Sequence, residues 1–270
     1  MLQGDIERPW GRAHYRVSGR NHAPALVLLH PLGVNLEVWN AQRAEFEKFF
    51  RVVCIDMRGH GGSSCKDAAP DEGAEAGGCT LADLAADVLA VLDALGVERA
   101  HYCGLSIGAA VALQIAALAP KRVYRLVLAN TAARFGEAAL WDERKAAVRS
   151  AGLAPLVDAA IERWFTPQFR TAAPAAISEV RELWKRTSVA GYLAACTALR
   201  DADLAPVLPE LRAPTLIVAG AADTATPLAA AEVLQSGITG ADLVILDAAH
   251  LSNVEQAADF TRVVVDFLRD

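Results

Sequence analysis

A serine flanked by glycines is the first feature of the sequence that could do chemistry. Ser106 stands at the centre of the pentapeptide Gly104-Leu105-Ser106-Ile107-Gly108, between a strand-like and a helix-like run. Where a strand reverses sharply into a helix, the residues two before and two after the turning residue meet, so neither can carry a Cβ. The turn lifts the hydroxyl clear of the sheet, beside the unpaired N–H groups of the helix N-terminus. The pattern predicts a nucleophilic serine beside an anion site, although so short a motif also arises by chance.

A serine nucleophile needs a general base that is itself oriented by a carboxylate. Asp223 and His250 each follow a late apolar run, which gives the chain order Ser, Asp, His that is typical of a nucleophile elbow. Asp247 is a rival acid, but on the same short loop as His250 it would hardly reach the far nitrogen of the ring. We therefore expect a triad of Ser106, Asp223 and His250. His60 lies in a glycine-rich loop and is expected to be structural.

An acyl-transfer site also needs hydrogen-bond donors for the oxyanion of the tetrahedral intermediate. The residue after the nucleophile supplies one backbone N–H, which here is that of Ile107. The second is expected from the turn His30-Pro31-Leu32-Gly33, which follows the first apolar run. Pro31 has no N–H, so Leu32 is the predicted donor.

The elements that must position these residues are buried parallel strands alternating with helices. Continuous apolar runs predict strands. Apolar residues at helical spacing after the N-cap residue Thr80, and a helix-like run after Ser106, predict helices. The predicted strands cover residues 25–29, 52–55, 101–103, 125–130, 215–220 and 243–246, and the predicted helices 81–95, 107–118 and 254–268. This alternation predicts an α/β fold with a mostly parallel central sheet flanked by helices. The opening polar segment, which runs through residues 16–19, is expected to form an antiparallel hairpin at the sheet edge.

The alternation stops after residue 133, and residues 134–204 read as helices alone. A helical insertion between two parallel strands is most simply a cap over the carboxyl ends of the strands, where open α/β sheets bind ligands. We therefore expect a core in two parts, residues 1–133 and 205–270, with a helical cap from 134 to 204. A polar loop is expected from Lys66 to Gly78.

Composition narrows the function classes. The chain has 270 residues, 53% of them apolar, a net charge of −6 and a pI near 5.6, so we expect one sizeable core and no nucleic-acid or anionic membrane partner. The first ten residues contain no apolar segment, and no later run reaches membrane-spanning length. Five cysteines without a C-x-x-C pair are typical of reduced thiols. These features predict a soluble, cytoplasmic protein.

Taken together, these motifs resemble the α/β-hydrolase superfamily. Within it, further segments of both core and cap are similar to the 3-oxoadipate enol-lactonases: residues 128–133, 163–167, 191–192, 200–203 and 249–253. The resemblance implies hydrolysis of a small anionic enol-lactone to 3-oxoadipate in aromatic catabolism, with no metal or organic cofactor.

An anionic substrate of an acidic protein needs a local cation, and arginine can grip a carboxylate with two parallel hydrogen bonds. Trp141 and Arg144 stand three apart, on one face of a predicted cap helix. They resemble the Trp-x-x-Arg of the enol-lactonases and are the expected apolar wall and anion clamp. The alternative is that Trp141 belongs to the cap core and Arg144 is a solvated charge. Weaker candidates for the same roles are Arg134, Trp164 and Lys185.

Two departures from the enol-lactonase pattern leave other substrates open. Ala109-Ala110 follow Gly108 where the family usually carries another glycine, and His30-Pro31 stand where these enzymes carry Ser or Asn. Both changes are expected at the rim of the oxyanion hole. The alternatives are a general small-ester or lactone hydrolase, an acyltransferase, or a non-catalytic binding protein of the same fold.

Overall fold

A computed structural model describes residues 1–65 and 79–270, so the loop predicted at 66–78 lies outside the described residues. The described strands form one sheet: β1 (Leu2–Arg8), β2 (Gly11–Gly19), β3 (Ala25–Leu29), β4 (Arg51–Ile55), β5 (Ala100–Leu105), β6 (Val123–Ala129), β7 (Thr215–Gly220) and β8 (Asp242–Leu246). Their order across the sheet is β1-β2-β4-β3-β5-β6-β7-β8. From β4 onwards neighbours are parallel, while β1 and β2 form the antiparallel hairpin predicted at the edge. The predicted α/β fold is confirmed.

Helices connect and cover these strands. In chain order they are α1 (Asn40–Phe46), α2 (Leu81–Ala94), α3 (Ile107–Leu118), α4 (Ala138–Ala151), α5 (Leu156–Trp164), α6 (Pro167–Ala172), α7 (Pro174–Trp184), α8 (Val189–Arg200), α9 (Leu228–Gly237), α10 (Ser252–Glu255) and α11 (Ala257–Arg269). In the core, α1 packs against α11 and α2 against α3. No helix among the described residues is long and apolar enough to cross a membrane.

Local sequence explains where α2 begins. The Thr80 hydroxyl accepts the Asp83 N–H (3.1 Å), and the Asp83 carboxylate accepts the Thr80 N–H (2.8 Å). This reciprocal capping box satisfies two backbone donors that the first helical turn would otherwise leave unpaired. Thr80 therefore fixes the helix start, as the sequence predicted.

The five helices α4 to α8 lie between β6 and β7 in the chain, and backbone contacts tie them to the loop after β4. Ser188 donates to the Gly59 carbonyl (2.7 Å), and Gly61 donates to the Arg186 carbonyl (2.9 Å). A Cβ on Gly191 would lie 2.5 Å from the Gly59 Cα. Glycine at both positions therefore lets α8 approach the core closely.

The C-terminal prediction needs a correction, because one helix was expected over residues 254–268. The structure has the short α10 and then α11, separated by Gln256 at φ −120° and ψ 50°. Tertiary contacts favour the break. The Gln256 side chain donates to the Asp247 carbonyl (2.9 Å), while the neighbouring Glu255 carboxylate accepts the Ala249 N–H (2.9 Å). Helical periodicity carries no information about these loop contacts.

Candidate active site

The turn between β5 and α3 places Ser106 at a sharp, strained reversal. A Cβ added to Gly104 would lie 2.3 Å from the Gly108 carbonyl oxygen, and one added to Gly108 would lie 2.2 Å from the Leu29 carbonyl oxygen. Both glycines are therefore required sterically. Ser106 itself has a positive φ of 56°, a conformation that non-glycine residues adopt rarely and often at functional sites. The strain is held by the surrounding backbone, in which the Ser106 N–H donates to Ala129 (2.9 Å).

A buried histidine–aspartate pair lies beside this turn. The Nδ1 of His250 is 2.8 Å from the Asp223 Oδ2, and His250 and Ser106 line the same cavity. With Nδ1–H donating to the carboxylate, the Nε2 of neutral His250 is free to accept a proton. In the described part of the chain no hydrogen bond joins the Ser106 hydroxyl to His250. Proton transfer would require the two to reach hydrogen-bond distance when substrate binds.

Asp223 is held in place by donors that sequence reasoning missed. Its carboxylate accepts hydrogen bonds from the Asn130 side chain (3.0 Å) and from the hydroxyl (2.8 Å) and N–H (3.0 Å) of Thr226. Burial alone would raise the pKa of Asp223, but the charge of His250 and these hydrogen bonds outweigh it and lower the pKa to about 2. The acid therefore stays ionised. Asp247, the rival acid, is exposed.

The two predicted oxyanion donors lie next to the serine. Ile107 is the first residue of α3 and Leu32 lines the cavity together with Ser106. Within residues 1–65 and 79–270, neither N–H donates to a protein acceptor, so both remain available to a ligand. Ala109 and Ala110 are fully buried in α3.

The cavity has a volume of about 340 Å³, and side chains from residues 134–204 form much of its wall. Trp164, Trp184 and Tyr192 pack in series, with ring centroids 5.1 Å and 5.8 Å apart. Trp141 also lines the cavity, and its indole N–H donates to the Phe135 carbonyl (2.6 Å). The size and the aromatic lining fit a small organic ligand.

Two arginines line this cavity without a carboxylate partner in the described part of the chain. The guanidinium carbon of Arg144 lies 4.8 Å from the centroid of the Trp141 ring. Arg163, on α5, also lines the cavity. The pKa of Arg163 is lowered because the guanidinium is partly withdrawn from water and because Arg144 carries like charge nearby. An anion between the two would relieve that repulsion. Arg163 was not among the predicted site residues, although it stands beside Trp164 in a segment that resembles the enol-lactonases.

The remaining candidates differ in placement. Arg134 lines the cavity but is already paired with Asp203 (2.7 Å). Lys185 is exposed, pairs with Glu182 (2.6 Å), and does not line the cavity. The structure thus does not bring Lys185 to the predicted place, because it follows the end of α7 on the solvent side. Among the described residues no cluster of three or more His, Cys, Asp or Glu side chains is arranged to hold a metal ion.

The loop that carries His250 is linked by hydrogen bonds to the segment at the end of α5 and the start of α6, on both sides of the histidine. Before it, the Ala249 N–H donates to the Glu255 carboxylate (2.9 Å), which also accepts the hydroxyl of Thr166, the N-cap residue of α6. After it, the Leu251 N–H donates to the Trp164 carbonyl (3.1 Å). The segment that carries Arg163 and Trp164 therefore also supports the histidine.

Comparison with known proteins agrees with this fold. The sequence profile of the α/β-hydrolase fold matches residues 24–257. The chain belongs to the α/β-hydrolase family. Like an α/β-hydrolase core, it has a serine in a strand–turn–helix after β5 and a histidine after β8, both beyond the carboxyl ends of parallel strands.

This α/β-hydrolase is similar to 3-oxoadipate enol-lactonase 2 of Acinetobacter baylyi, with 37% identity over 93% of this chain and 91% of that protein. It is 35% identical to 3-oxoadipate enol-lactonase 1 of the same organism, over 94% of this chain and 92% of that protein. The crystal structure of the enol-lactonase from Burkholderia xenovorans superposes with a TM-score of 0.93 and 37% identity, covering 99% of this chain and 100% of that one. The similarity therefore extends through core and cap.

Proposed function

We propose that this α/β-hydrolase opens a small carboxylated enol-lactone, 3-oxoadipate enol-lactone, to 3-oxoadipate. The observation that carries the proposal is the pair Arg144 and Arg163, two guanidinium groups without carboxylate partners in the described chain, in the cavity that holds Ser106 and His250. A neutral ester would leave both charges unpaired, whereas a carboxylate arm would bind between them. The names of the relatives support the same substrate class.

In the proposed mechanism Ser106 attacks the lactone carbonyl while His250 takes the hydroxyl proton. Asp223 holds the imidazole and stabilises its charged form, and the N–H groups of Leu32 and Ile107 stabilise the oxyanion. Collapse breaks the ring C–O bond, and the leaving enolate takes the proton held by His250 and becomes a ketone, which leaves His250 neutral again. Departure of the enolate is easy because its charge is delocalised.

Water then releases the product from the acyl-enzyme. His250 removes a proton from water, the hydroxide attacks the ester carbonyl, and Ser106 leaves with the proton returned by His250. The product is a diacid bearing a ketone, and each proton is accounted for by the substrate, the histidine and water. No metal or organic cofactor takes part in these steps. The reaction belongs, in this proposal, to cytoplasmic catabolism of aromatic compounds.

Kinetics with two substrates test the proposal. Arg144→Ala and Arg163→Ala should each lower kcat/KM for the carboxylated lactone by about tenfold or more, since a charge-assisted hydrogen bond contributes ~1.5–3 kcal/mol. Hydrolysis of p-nitrophenyl acetate, which has no carboxylate, should hardly change. Arg181→Ala removes a cap arginine that pairs with Asp158 and does not line the cavity, so it is the matched control.

The alternative is a general small-ester or lactone hydrolase. Equal losses for both substrates, or no loss for either, would contradict the carboxylate assignment and favour that alternative. Ser106→Ala should abolish both activities, and a fluorophosphonate should label Ser106 in the wild type. Absence of labelling would favour a non-catalytic binding protein.

A further inference from the structure

Two buried histidines lie under the turn that is expected to carry an oxyanion donor. His30 and His60 are fully buried, with ring centroids 5.2 Å apart. The Nδ1 of His30 is 2.8 Å from the Pro31 carbonyl oxygen, and its Nε2 accepts the Met57 N–H (2.9 Å). The Nδ1 of His60 is 2.8 Å from the Arg58 carbonyl oxygen, and its Nε2 accepts the Gly33 N–H (3.3 Å).

These partners determine the tautomer of each ring. A carbonyl can only accept, so Nδ1 carries the hydrogen in both rings, and a backbone N–H can only donate, so Nε2 carries none. A second proton would displace the N–H of Met57 or Gly33. Burial, and for His30 also the nearby His60, lowers the pKa values to about 3 and about 4. Both rings are therefore neutral in the range where a serine hydrolase works.

The hydrogen bonds act on the two peptide groups that flank the Leu32 Cα. The carbonyl of Pro31 and the N–H of Leu32 belong to one peptide group, which is trans like every described peptide, so they point in opposite directions. Binding of the carbonyl to His30 directs the Leu32 N–H away from that ring. The next peptide group contains the Gly33 N–H, which His60 holds. The two histidines thus fix the orientation of both peptide planes beside Leu32.

We propose that His30 and His60 are positioning residues that orient the Leu32 N–H for the oxyanion. The inference rests on the proposed function, because it takes Leu32 as an oxyanion donor. His30 binds the turn and the segment after β4 at the same time, one through each ring nitrogen. Its hydrogen bond to the Pro31 carbonyl also polarises the peptide, which makes the Leu32 N–H a better donor.

Asn and Gln variants of each histidine test whether the ring orients the Leu32 N–H or only stabilises the fold around it. Asparagine places a polar atom where Nδ1 was, and glutamine places one where Nε2 was. His30→Asn therefore keeps the bond to Pro31, and His30→Gln loses it. At His60 the expected order of the two variants is reversed. His60→Gln keeps an acceptor for the Gly33 N–H, whereas His60→Asn loses it.

We expect His30→Gln and His60→Asn to lower kcat for p-nitrophenyl acetate by about tenfold or more, given that loss of an oxyanion donor costs ~10²–10³. KM should change little. Their partner variants should lose clearly less. Affinity for a trifluoromethyl ketone, which forms a tetrahedral oxyanion adduct on serine, should fall in parallel with kcat. His101→Gln, at the far end of β5 from Ser106, is the unaffected control, and thermal melting reports on folding.

Two results would overturn the inference. Equal kcat losses for the Asn and Gln variants at each position, tracking the melting temperature, would show a merely structural role. An unchanged affinity for the trifluoromethyl ketone would show that the oxyanion site does not depend on the histidines. Fluorophosphonate labelling of the wild type separates this failure from that of the proposed function: labelling without the expected order of the variants rejects only the histidine assignment, whereas no labelling rejects both.

Discussion

The side chain of Asn130 donates a hydrogen bond to the Asp223 carboxylate at 3.0 Å, so the end of β6 supports the acid that binds His250. Asn130 adopts a positive φ of 46°, and its side-chain oxygen accepts the Ser252 hydroxyl (2.5 Å). The histidine and aspartate thus belong to a buried hydrogen-bond network that spans three segments of the chain. Changes to the network should alter the pH dependence of the reaction as well as its rate.

Asn130→Asp tests this relationship. It adds a second carboxylate beside Asp223, and a negative charge near His250 favours the protonated imidazole. The acidic limb of the kcat/KM profile for p-nitrophenyl acetate should therefore move to higher pH. Asn130→Ser removes the amide donor without adding charge and should lower the rate without that shift. Identical pH profiles for the two variants would contradict the assignment of Asp223 as the charge that orients His250.

The choice between the two candidate acids can be tested directly. Asp223→Asn should lower kcat by about 10⁴-fold, because the amide favours the wrong imidazole tautomer and cannot stabilise its charged form. Asp247→Asn is the matched control on the same loop as His250, and it should leave kcat unchanged because Asp247 is exposed. A large loss in the Asp247 variant would show that the sequence-based choice of acid was wrong.

The link between cap and histidine loop gives a third prediction. Glu255→Ala removes the acceptor shared by the Ala249 N–H and the Thr166 hydroxyl. The loop should become less well placed, and displacement of a catalytic group by ~1 Å can cost ~10²-fold. We expect a fall in kcat and in the rate of fluorophosphonate labelling. Glu232→Ala, an exposed change on α9, is the control, and equal labelling rates in both variants would contradict the link.

Acid should destabilise the fold through the buried histidines. The folded-state pKa values of His30 and His60 are lowered to about 3 and about 4, so below pH ~6.5 the unfolded chain binds protons that the folded chain does not. Each histidine should then lower the free energy of unfolding by ~1.4 kcal/mol per pH unit as the pH falls towards these values. Urea unfolding between pH 6 and 4.5 measures the slope. His30→Asn should reduce the slope by about 1.4 kcal/mol per pH unit, which corresponds to one proton fewer taken up on unfolding. An unchanged slope would contradict the assignment of a neutral His30 ring.

Short-range patterns were enough to predict an α/β fold and the strands of its parallel sheet, but not the order of the strands in the sheet. The elbow glycines are separated by four positions, and the steric reason for them is local, so the pentapeptide predicts its own turn. The Thr80 cap and the apolar strands are equally local. The break at Gln256 was not predictable in this way, because the side chains that stabilise it bind the 247–249 loop.

The sequence by itself determined the elbow around Ser106, the buried strands and the likeness to known hydrolases. Only the tertiary structure decided which charges share the cavity, because that depends on how α4 packs relative to α5. It brings Arg163 to Arg144, leaves Arg134 paired with Asp203, and keeps Lys185 in solvent. It also assigned tautomers to the two histidines near Leu32, since a ring nitrogen takes its role from partners that are distant in sequence.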